Sequence, residues 1–248
     1  MSVTHDPGTA RGGKCVYGAA LGILMLDTRF ARIPGDMGNA LTWPFPVLYR
    51  VVPGASPKRV VQESAAGLLS AFTQAAQELV QTGAEAITTN CGFLSLFQRE
   101  LAAAVNVPVA TSSLMQVNAV QATLAPGQRV GVITIDAGAL TDSHLRAAGA
   151  PLDTPRTGVE NGRELHRVLV RGEKIDLDAT LAEQDVLDAG RRLMQEHSAI
   201  GAIVLECTNM PPYAAALQAE LGVPIFDIYS LITWLHAGLR PRVFAPRN

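Results

Sequence analysis

The chain has 248 residues, of which 48% are apolar and 17% are charged, and its formal net charge at pH 7 is −2. This composition is typical of a globular protein that buries a sizeable core, and it argues against a disordered chain. The sequence has no Lys/Arg cluster suited to binding phosphates, so we predict no nucleic-acid partner. The candidate membrane segment, residues 16–26, is too short to span a bilayer, so we predict no membrane partner.

The first half of the chain alternates apolar runs with helical patterns. The polar, glycine-rich dozen of residues at the N-terminus predicts a frayed tail, without the layout of a secretory signal. The patterns that follow predict an irregular excursion at 28–46, helices at 58–81 and 94–106, and strands at 15–26, 47–52, 84–89 and 107–110.

The second half continues this alternation. It predicts strands at 129–135 and 202–205, a loop over 149–163, and helices at 114–124, 137–148, 177–197 and 230–239. Strands that alternate with helices of this length predict an α/β fold with mainly parallel sheets.

Two segments of the chain repeat each other at an offset of 116 residues (207 − 91). Cys91 falls on Cys207, and Val107-Pro108-Val109 falls on Val223-Pro224-Ile225. A long repeat that occurs twice predicts two lobes rather than a solenoid. We therefore expect two pseudosymmetric, Rossmann- or flavodoxin-like lobes with an active-site cleft between them.

The three cysteines, Cys15, Cys91 and Cys207, form an odd number without CxxC spacing. A disulfide scaffold and a zinc site both fit this poorly, so we predict no metal, and free thiols suit a reducing cytoplasm. Cys91 and Cys207 each follow a strand and precede a helix, where backbone N–H groups favour a thiolate. Cys15 has no counterpart in the other repeat, and we predict a structural role for it.

Other polar residues also follow predicted strands. Ligands in open α/β sheets bind at the carboxyl ends of the strands, and Asp27 and the Ser112-Ser113 pair stand at such ends. Two thiols on opposite faces of a carbon acid can remove a proton from one side and return one from the other, provided that the site stabilises the enediolate. The N–H groups of residues 92, 93, 208 and 209 are predicted to face the substrate carboxylate, and Gly92 allows close approach.

Sequence signals of other enzyme classes are missing. Neither GxGxxG nor GxxxxGK[ST] occurs, so we predict no nucleotide cofactor, and the lack of GxSxG leaves a serine hydrolase unsupported. Six further residues stay open between substrate contacts and surface or packing roles: Arg29, Trp43, Tyr49, Arg50, Met210 and Tyr213.

The segments TTNCGF (88–93), VPVATSS (107–113) and LECTNMPPY (205–213) resemble the aspartate/glutamate racemase superfamily of cofactor-independent racemases, isomerases and decarboxylases. Glutamate racemases carry Cys-Asn-Thr in the first lobe and Gly-Cys-Thr-His in the second. This chain keeps Cys207-Thr208 but has Gly92-Phe93 after the first cysteine and Glu206 and Asn209 around the second, and it also lacks the aspartate-glycine-type opening motif of glutamate racemases. These departures argue against glutamate as the substrate.

Motifs along most of the chain are similar to the branch of that superfamily that contains the algal dimethylsulfoniopropionate lyases. They are LGILMLDTRFARIPGD (21–36), YRVVPG (49–54), SSLMQ (112–116) and ECTNMPPY (206–213). The resemblance implies that the C-terminal helix packs back on the first lobe. Residues 1–117 and 228–248 would then form the first lobe with Cys91, and residues 118–227 the second lobe with Cys207. It also implies a homo-oligomer.

Together, the residues and the resemblance predict a cofactor-independent racemase or epimerase of a small amino-acid-like carboxylate, with Cys91 and Cys207 as its two acid/base groups. An alternative hypothesis is a lyase that uses the same pair for α-proton abstraction and β-elimination. A third is a non-catalytic protein that binds a small ligand. The predicted substrate-binding residues are Asp27, Asn90, Gly92, Phe93, Ser112, Thr208 and Asn209.

Overall fold

Two parallel sheets form the centre of the fold. The computed structural model describes residues 12–244, and this part of the chain contains eight strands. They are β1 (Leu21–Leu26), β2 (Val47–Val52), β3 (Ala86–Thr89), β4 (Val109–Ala110), β5 (Arg129–Thr134), β6 (Arg156–Gly158), β7 (Ile200–Leu205) and β8 (Ile225–Phe226). The sheets have the orders β2-β1-β3-β4 and β6-β5-β7-β8, and every pairing is parallel.

The second strand order is the first shifted by four strands, so the two sheets are copies of one topology. The order 2-1-3-4 is that of flavodoxin-like sheets. β4 and β8 also obey the offset of the sequence repeat, since Val109 corresponds to Ile225. The predicted α/β fold with two pseudosymmetric, flavodoxin-like lobes is confirmed.

Helices connect the strands, as parallel pairing requires. The described residues form α1 (Leu69–Thr82), α2 (Gln98–Ala104), α3 (Val117–Gln121), α4 (Asp142–Ala148), α5 (Leu165–Leu169), α6 (Ala179–Glu196), α7 (Ala214–Leu221) and α8 (Ile228–Leu239). Short 3₁₀ turns at Ala40–Thr42, Gly92–Phe97, Ser113–Gln116 and Pro211–Tyr213 and a π-helical turn at Lys58–Gln62 complete the secondary structure of residues 12–244.

The first strand is shorter than predicted. The apolar run 15–26 was expected to form one strand, but residues 15–18 are exposed and β1 begins at Leu21. Leu21 is the first residue with partners on both sides, Val47 in β2 and Ala86 in β3. All six residues of β1 are buried, as expected for a central parallel strand. The predicted N-terminal tail falls almost wholly on residues 1–11, which lie outside the described residues.

The predicted helix 58–81 is interrupted. The backbone adopts positive φ at Ser64 (52°), Ala65 (54°) and Gly67 (74°), a region that a right-handed helix cannot use. The chain therefore forms only a turn at Lys58–Gln62 and starts α1 after the glycine. The apolar periodicity correctly marked helical turns before and after this interruption, but it did not reveal that the chain changes direction between them.

Several other boundaries also differ from the predictions. The loop predicted at 149–163 contains β6, and α5 follows it. The helices predicted at 94–106 and 114–124 begin as 3₁₀ turns, and the helix predicted at 137–148 starts at Asp142, where Thr141 forms a capping box. These short elements are fixed by contacts with distant residues, so they leave little periodic signal in the sequence.

One face of the first sheet is covered by α8. Ile228, Leu231 and Ile232 of this helix belong to the same buried cluster as Leu21 and Ile23 of β1. Asp227 begins the helix, and its carboxylate accepts the N–H of Ser230 at 2.8 Å. The last helix of the chain thus packs beside the first strand. Among the described residues, no helix is both long and apolar enough to cross a membrane.

Candidate active site

Strand ends of both sheets meet at one small cavity. β1, β3, β5 and β7 are the central strands, and residues that follow their carboxyl ends line a space of about 30 Å³, room for a single water molecule. The lining residues are Leu26, Thr28, Phe30, Arg32, Pro57, Val61, Asn90, Cys91, Gly92, Phe93, Ile135, Leu169, Val170, Glu206, Cys207, Thr208 and Asn209. The structure therefore brings both predicted cysteines to one site, together with five of the predicted binding residues, Asn90, Gly92, Phe93, Thr208 and Asn209.

Cys91 caps the 3₁₀ turn that follows β3. Its backbone is extended (φ −152°), which aims the side chain at the N–H groups of the turn. The N–H groups of Phe93 and Leu94 hydrogen-bond the sulfur when it is charged. Cys91 is partly exposed, in contrast to Cys207. This is the strand-to-helix thiol environment that the sequence predicted.

Cys207 follows β7 and is buried. Its sulfur donates a hydrogen bond to Oδ1 of Asn209 at 3.5 Å, and Nδ2 of Asn209 donates to Asp36 at 2.5 Å. The Thr208 hydroxyl donates to the carbonyl of Asn90 at 2.6 Å and so joins the ends of β7 and β3. The two thiols are therefore held by a direct connection between the two sheets.

Burial raises the pKa of both thiols, because the interior solvates a thiolate poorly, and the nearby Glu206 carboxylate raises the pKa further. The N–H groups of the turn and the Arg32 guanidinium partly oppose this at Cys91, and the N–H of Asn209 does so at Cys207. Both side chains therefore rest as thiols. A base can form only where the site provides a proton acceptor.

Arg32 is a cavity residue that the sequence did not identify. Its guanidinium donates to Asp36 at 2.7 Å and to the Thr28 hydroxyl at 2.8 Å, and it lies 4.5 Å from the centre of the Phe30 ring. Arg32 and Asp36 form an almost fully buried ion pair, with side chains 12% and 5% exposed. The predicted irregular excursion thus supplies a guanidinium at the cavity wall together with the carboxylate that balances its charge. Its only sequence signal is the motif that follows β1.

Like Arg32, Glu206 lines the cavity although the sequence did not identify it as a site residue. Its side chain is fully buried, and the Thr134 hydroxyl donates to Oε2 at 2.7 Å. Oε1 has no hydrogen-bond partner among the described residues. Burial raises the pKa of this carboxyl group to about 7, although the hydrogen bonds from Thr134 and from the backbone of Ile135 oppose the shift.

Gly92 lies directly against this carboxyl group. A β-carbon at residue 92 would stand 2.6 Å from the carbonyl oxygen of Glu206 and closer still to its Oε1. Both the backbone carbonyl and the carboxyl group of residue 206 therefore favour a glycine beside the first cysteine. Two of the departures from the glutamate racemase pattern, Gly92 and Glu206, thus lie in contact.

Asp27 and Ser112 lie outside the cavity lining. Asp27 forms an exposed ion pair with Arg29 at 3.0 Å. Ser112 is buried, and its hydroxyl accepts the N–H of Leu114 at 3.2 Å, which caps the turn after β4. The next residue, Ser113, donates to the carbonyl of Leu205 at 2.7 Å and so links β4 to the end of β7.

The six residues with open roles also lie outside this lining. Trp43 is buried beside α8, Met210 and Tyr213 belong to the core, and the Tyr49 hydroxyl donates to the carbonyl of Met37 at 3.1 Å. Arg50 pairs with Glu78 on the surface. The structure thus gives these residues packing or surface contacts, and Arg29 stands at an outer groove.

That outer groove adjoins the cavity and has a volume of about 230 Å³. The two spaces share the wall residues Thr28, Phe30, Pro57, Leu169 and Val170. Three of the groove residues are cationic, namely Arg29, Lys58 and Lys174. Arg29 is paired with Asp27, which also lines the groove, and Lys174 is paired with Glu164, so much of this positive charge is balanced.

Residues 112–235, half of the chain, match the protein family described as Asp/Glu/hydantoin racemase. A dimethylsulfoniopropionate lyase of Durusdinium sp. clade D is 26% identical over 84% of this chain and 71% of its own length. Dimethylsulfoniopropionate lyase 6 of Emiliania huxleyi (strain CCMP1516) is 27% identical, again over 84% of this chain, but the match spans only 56% of that protein.

Solved structures share the fold. Glutamate racemase RacE1 from Bacillus anthracis superposes with a TM-score of 0.58 at 17% identity, over 90% of this chain and 83% of the racemase. Unliganded arylmalonate decarboxylase gives a TM-score of 0.58 at 17% identity, over 92% of this chain and 95% of that chain. At this level of identity the likeness concerns the fold alone.

Proposed function

Since the chain belongs to the Asp/Glu/hydantoin racemase family, we propose that it is a racemase or epimerase of a small carboxylate. It removes the proton from the carbon next to the carboxylate and returns a proton to the opposite face. Cys91 and Cys207 are the two acid/base groups, and the reaction as proposed needs no cofactor. The substrate is a small, amino-acid-like anion.

The observation that carries this proposal is the placement of the two thiols. Each follows the third strand of its own sheet, and both line one cavity between the sheets. Pseudosymmetric sheets that face each other present equivalent strand ends to opposite sides of a bound molecule. A carbon acid between the two sulfurs can therefore lose a proton on one side and gain one on the other.

The charges around the cavity suit a carboxylate. The Arg32 guanidinium lies in its wall, and the N–H groups of the turn after Cys91 point towards the sulfur and the adjoining space. Positive charge stabilises the enediolate that forms when the α-proton leaves, and it does so most strongly in a buried site. Lys58 of the outer groove places a further positive charge on the route that an anionic substrate would take.

The cavity must widen to admit a substrate, since its present space holds about one water molecule. The wall shared with the outer groove is the natural place for this movement. Phe30 lies in that wall on the irregular segment after β1, and Leu169 lies in it at the end of α5. Substrate would enter from the groove and displace these side chains.

A lyase is the second candidate. The sequence relatives reported above are named dimethylsulfoniopropionate lyases, and elimination begins with the same α-proton abstraction. The two thiols also have unequal surroundings, because Cys207 donates to Asn209 whereas Cys91 faces backbone donors. Elimination needs one base only, so this asymmetry favours it. Under this reading Cys91 is the base.

The test is incubation of the protein in D₂O with L- and D-amino acids, hydantoins and dimethylsulfoniopropionate, followed by NMR and polarimetry. Deuterium at the α-carbon with loss of optical activity supports racemisation, whereas acrylate with dimethyl sulfide supports elimination and overturns racemisation. Absence of exchange and of product from every compound contradicts both and leaves a binding protein.

Cysteine variants complete the test. Cys91→Ser and Cys207→Ser are each expected to lower the rate by about 10²–10⁴-fold, because a serine hydroxyl is a far weaker acid than a thiol. Cys15→Ser is the matched control, since Cys15 is exposed and lies outside the cavity lining. The control should keep the full rate.

A further inference from the structure

Glu206 is a buried acid that no step above employs. Its side chain is fully buried in the cavity wall, yet only one of its two oxygens is hydrogen-bonded. Buried carboxyl groups with structural roles use both oxygens, because an unpaired buried acceptor is costly. The free Oε1 atom therefore calls for a partner that is present only at some stage of the reaction.

The position of Glu206 connects it to both thiols. It precedes Cys207 in the chain, and its carboxyl group lies against Gly92, the residue after Cys91. Its charge acts on the two sulfurs alike, since it raises the pKa of each. The charged and titratable groups that interact with this carboxyl group or with the two thiols are Cys91, Cys207, Arg32, Asp36 and Tyr213.

We propose that Glu206 is the proton relay between the two thiols, a role that rests on the proposed function. In the resting site Glu206 is a carboxylate and both cysteines are thiols. The Sγ–H bond of Cys91 breaks, its proton forms an O–H bond with Oε1, and the electron pair stays on sulfur. The carboxylate has become a neutral acid, so its repulsion of the new thiolate disappears.

The remaining steps restore the starting state. The Cys91 thiolate takes the α-proton of the substrate, and the Cys207 thiol gives its proton to the opposite face. Glu206 then passes its proton to the Cys207 thiolate. Both thiols and the carboxylate are regenerated, and the partly exposed Cys91 thiol exchanges its proton with water between turnovers, so deuterium from D₂O still reaches the α-carbon. The reverse order serves the opposite enantiomer, so one relay resets the site in both directions.

Gly92 and Thr134 adapt the site to this role. Because residue 92 is a glycine, it leaves room for the carboxyl group beside the first cysteine. The Thr134 hydroxyl holds Oε2 at 2.7 Å and so directs Oε1 away from itself. Both contacts orient the acid and leave one oxygen free.

The test measures alkylation of each cysteine by iodoacetamide between pH 5 and 9, with mass spectrometry to resolve the three sites. Only a thiolate reacts, so the rate reports the thiolate population without any substrate. In the wild-type protein the Cys91 rate should rise up to about pH 7 and then stay nearly level, because the proton that Cys91 gives up remains on Glu206. Exposed Cys15 serves as the internal reference for the reagent.

Glu206→Gln removes the acceptor, and the Cys91 rate should then rise about 100-fold between pH 7 and 9, tenfold per unit, as for a thiol that ionises into water. Thr134→Val keeps the acceptor but removes the hydrogen bond that lowers its pKa. In that variant the level region should persist and begin at higher pH. Circular dichroism confirms that each variant is folded.

The relay would be overturned if the alkylation rate of Cys91 rose equally steeply with pH in the wild-type protein and in Glu206→Gln. It would also be overturned if the level region in Thr134→Val began at the same pH as in the wild type. These results are independent of the substrate panel. A level region that depends on Glu206 supports the relay even where every tested substrate fails. Conversely, α-deuterium exchange that is unchanged in Glu206→Gln retains the proposed function and refutes the relay.

Discussion

Replacing Glu206 with Gln removes a carboxyl group that must ionise inside the protein above neutral pH. Because burial raises its pKa from 4.5 to about 7, the folded state binds this proton more tightly than the unfolded state does. Its contribution to stability is therefore complete below pH 4.5 and is lost as the pH rises through 7. The variant lacks this loss, so it should gain stability relative to the wild type as the pH rises.

The size of the effect follows from the two pKa values. Linkage gives a loss of about 2.5 kcal/mol from this one group between pH 5 and 8. In a protein of this length the corresponding change in melting temperature is about 5–10 °C. Other titrating groups are common to both proteins, so the difference between wild type and variant isolates Glu206.

The assay is thermal unfolding of the wild type and Glu206→Gln by circular dichroism at pH 5 and 8. Glu164→Gln is the matched control, since Glu164 is also buried but is paired with Lys174 at 2.8 Å and accepts the N–H of Asp178 at 2.7 Å. That control should destabilise the protein at both pH values. A difference between wild type and Glu206→Gln that is the same at pH 5 and 8 would refute the reasoning.

Three further substitutions test the packing around the site and the second sheet. Gly92→Ala should lower the free energy of unfolding by about 1–3 kcal/mol in urea, because the added methyl group overlaps Glu206. Adding Glu206→Ala to this variant should recover part of the loss. Strictly additive effects of the two substitutions on the free energy of unfolding would contradict the contact. Burial lowers the pKa of His144 to about 4, so the contribution of this residue to stability should fall by about 3 kcal/mol as the pH drops from 7 to 4. The difference in stability between the wild type and His144→Gln should therefore change by that amount between urea titrations at the two pH values, and an unchanged difference would contradict the assignment. The Asp185 carboxylate accepts three backbone N–H groups before and within α5, so Asp185→Ala should cost about 3 kcal/mol in urea unfolding. The control is Asp188→Ala on the exposed face of α6, which should cost less than about 1 kcal/mol. Equal losses in the two variants would contradict this prediction.

The sequence predicted the architecture well because the repeat carries long-range information. Two strand-cysteine-helix units at one offset imply two equivalent sheets, and equivalent strand ends imply a shared cavity for Cys91 and Cys207. The same offset relates β4 to β8. What periodicity could not provide was the break at Gly67, where three positive φ angles turn the chain.

The sequence said less about where the side chains around the thiols lie. Asp27 and Ser112 were chosen because they follow strands, but one points to the outer groove and the other caps a turn. Arg32 reaches the cavity from an irregular segment whose path no periodic pattern describes. Glu206 was visible as a departure from the racemase motif, but its free oxygen depends on Gly92, which lies more than a hundred residues away.

The central claim is that Cys91 and Cys207 serve opposite faces of one α-carbon. The most direct measurement is the rate at which deuterium from D₂O enters the α-position of each enantiomer of an active substrate, in Cys91→Ser and in Cys207→Ser. The account predicts that each variant loses racemisation, while each keeps wash-in of deuterium with only the enantiomer that faces its remaining thiol. Wash-in that either variant retains with both enantiomers would contradict it.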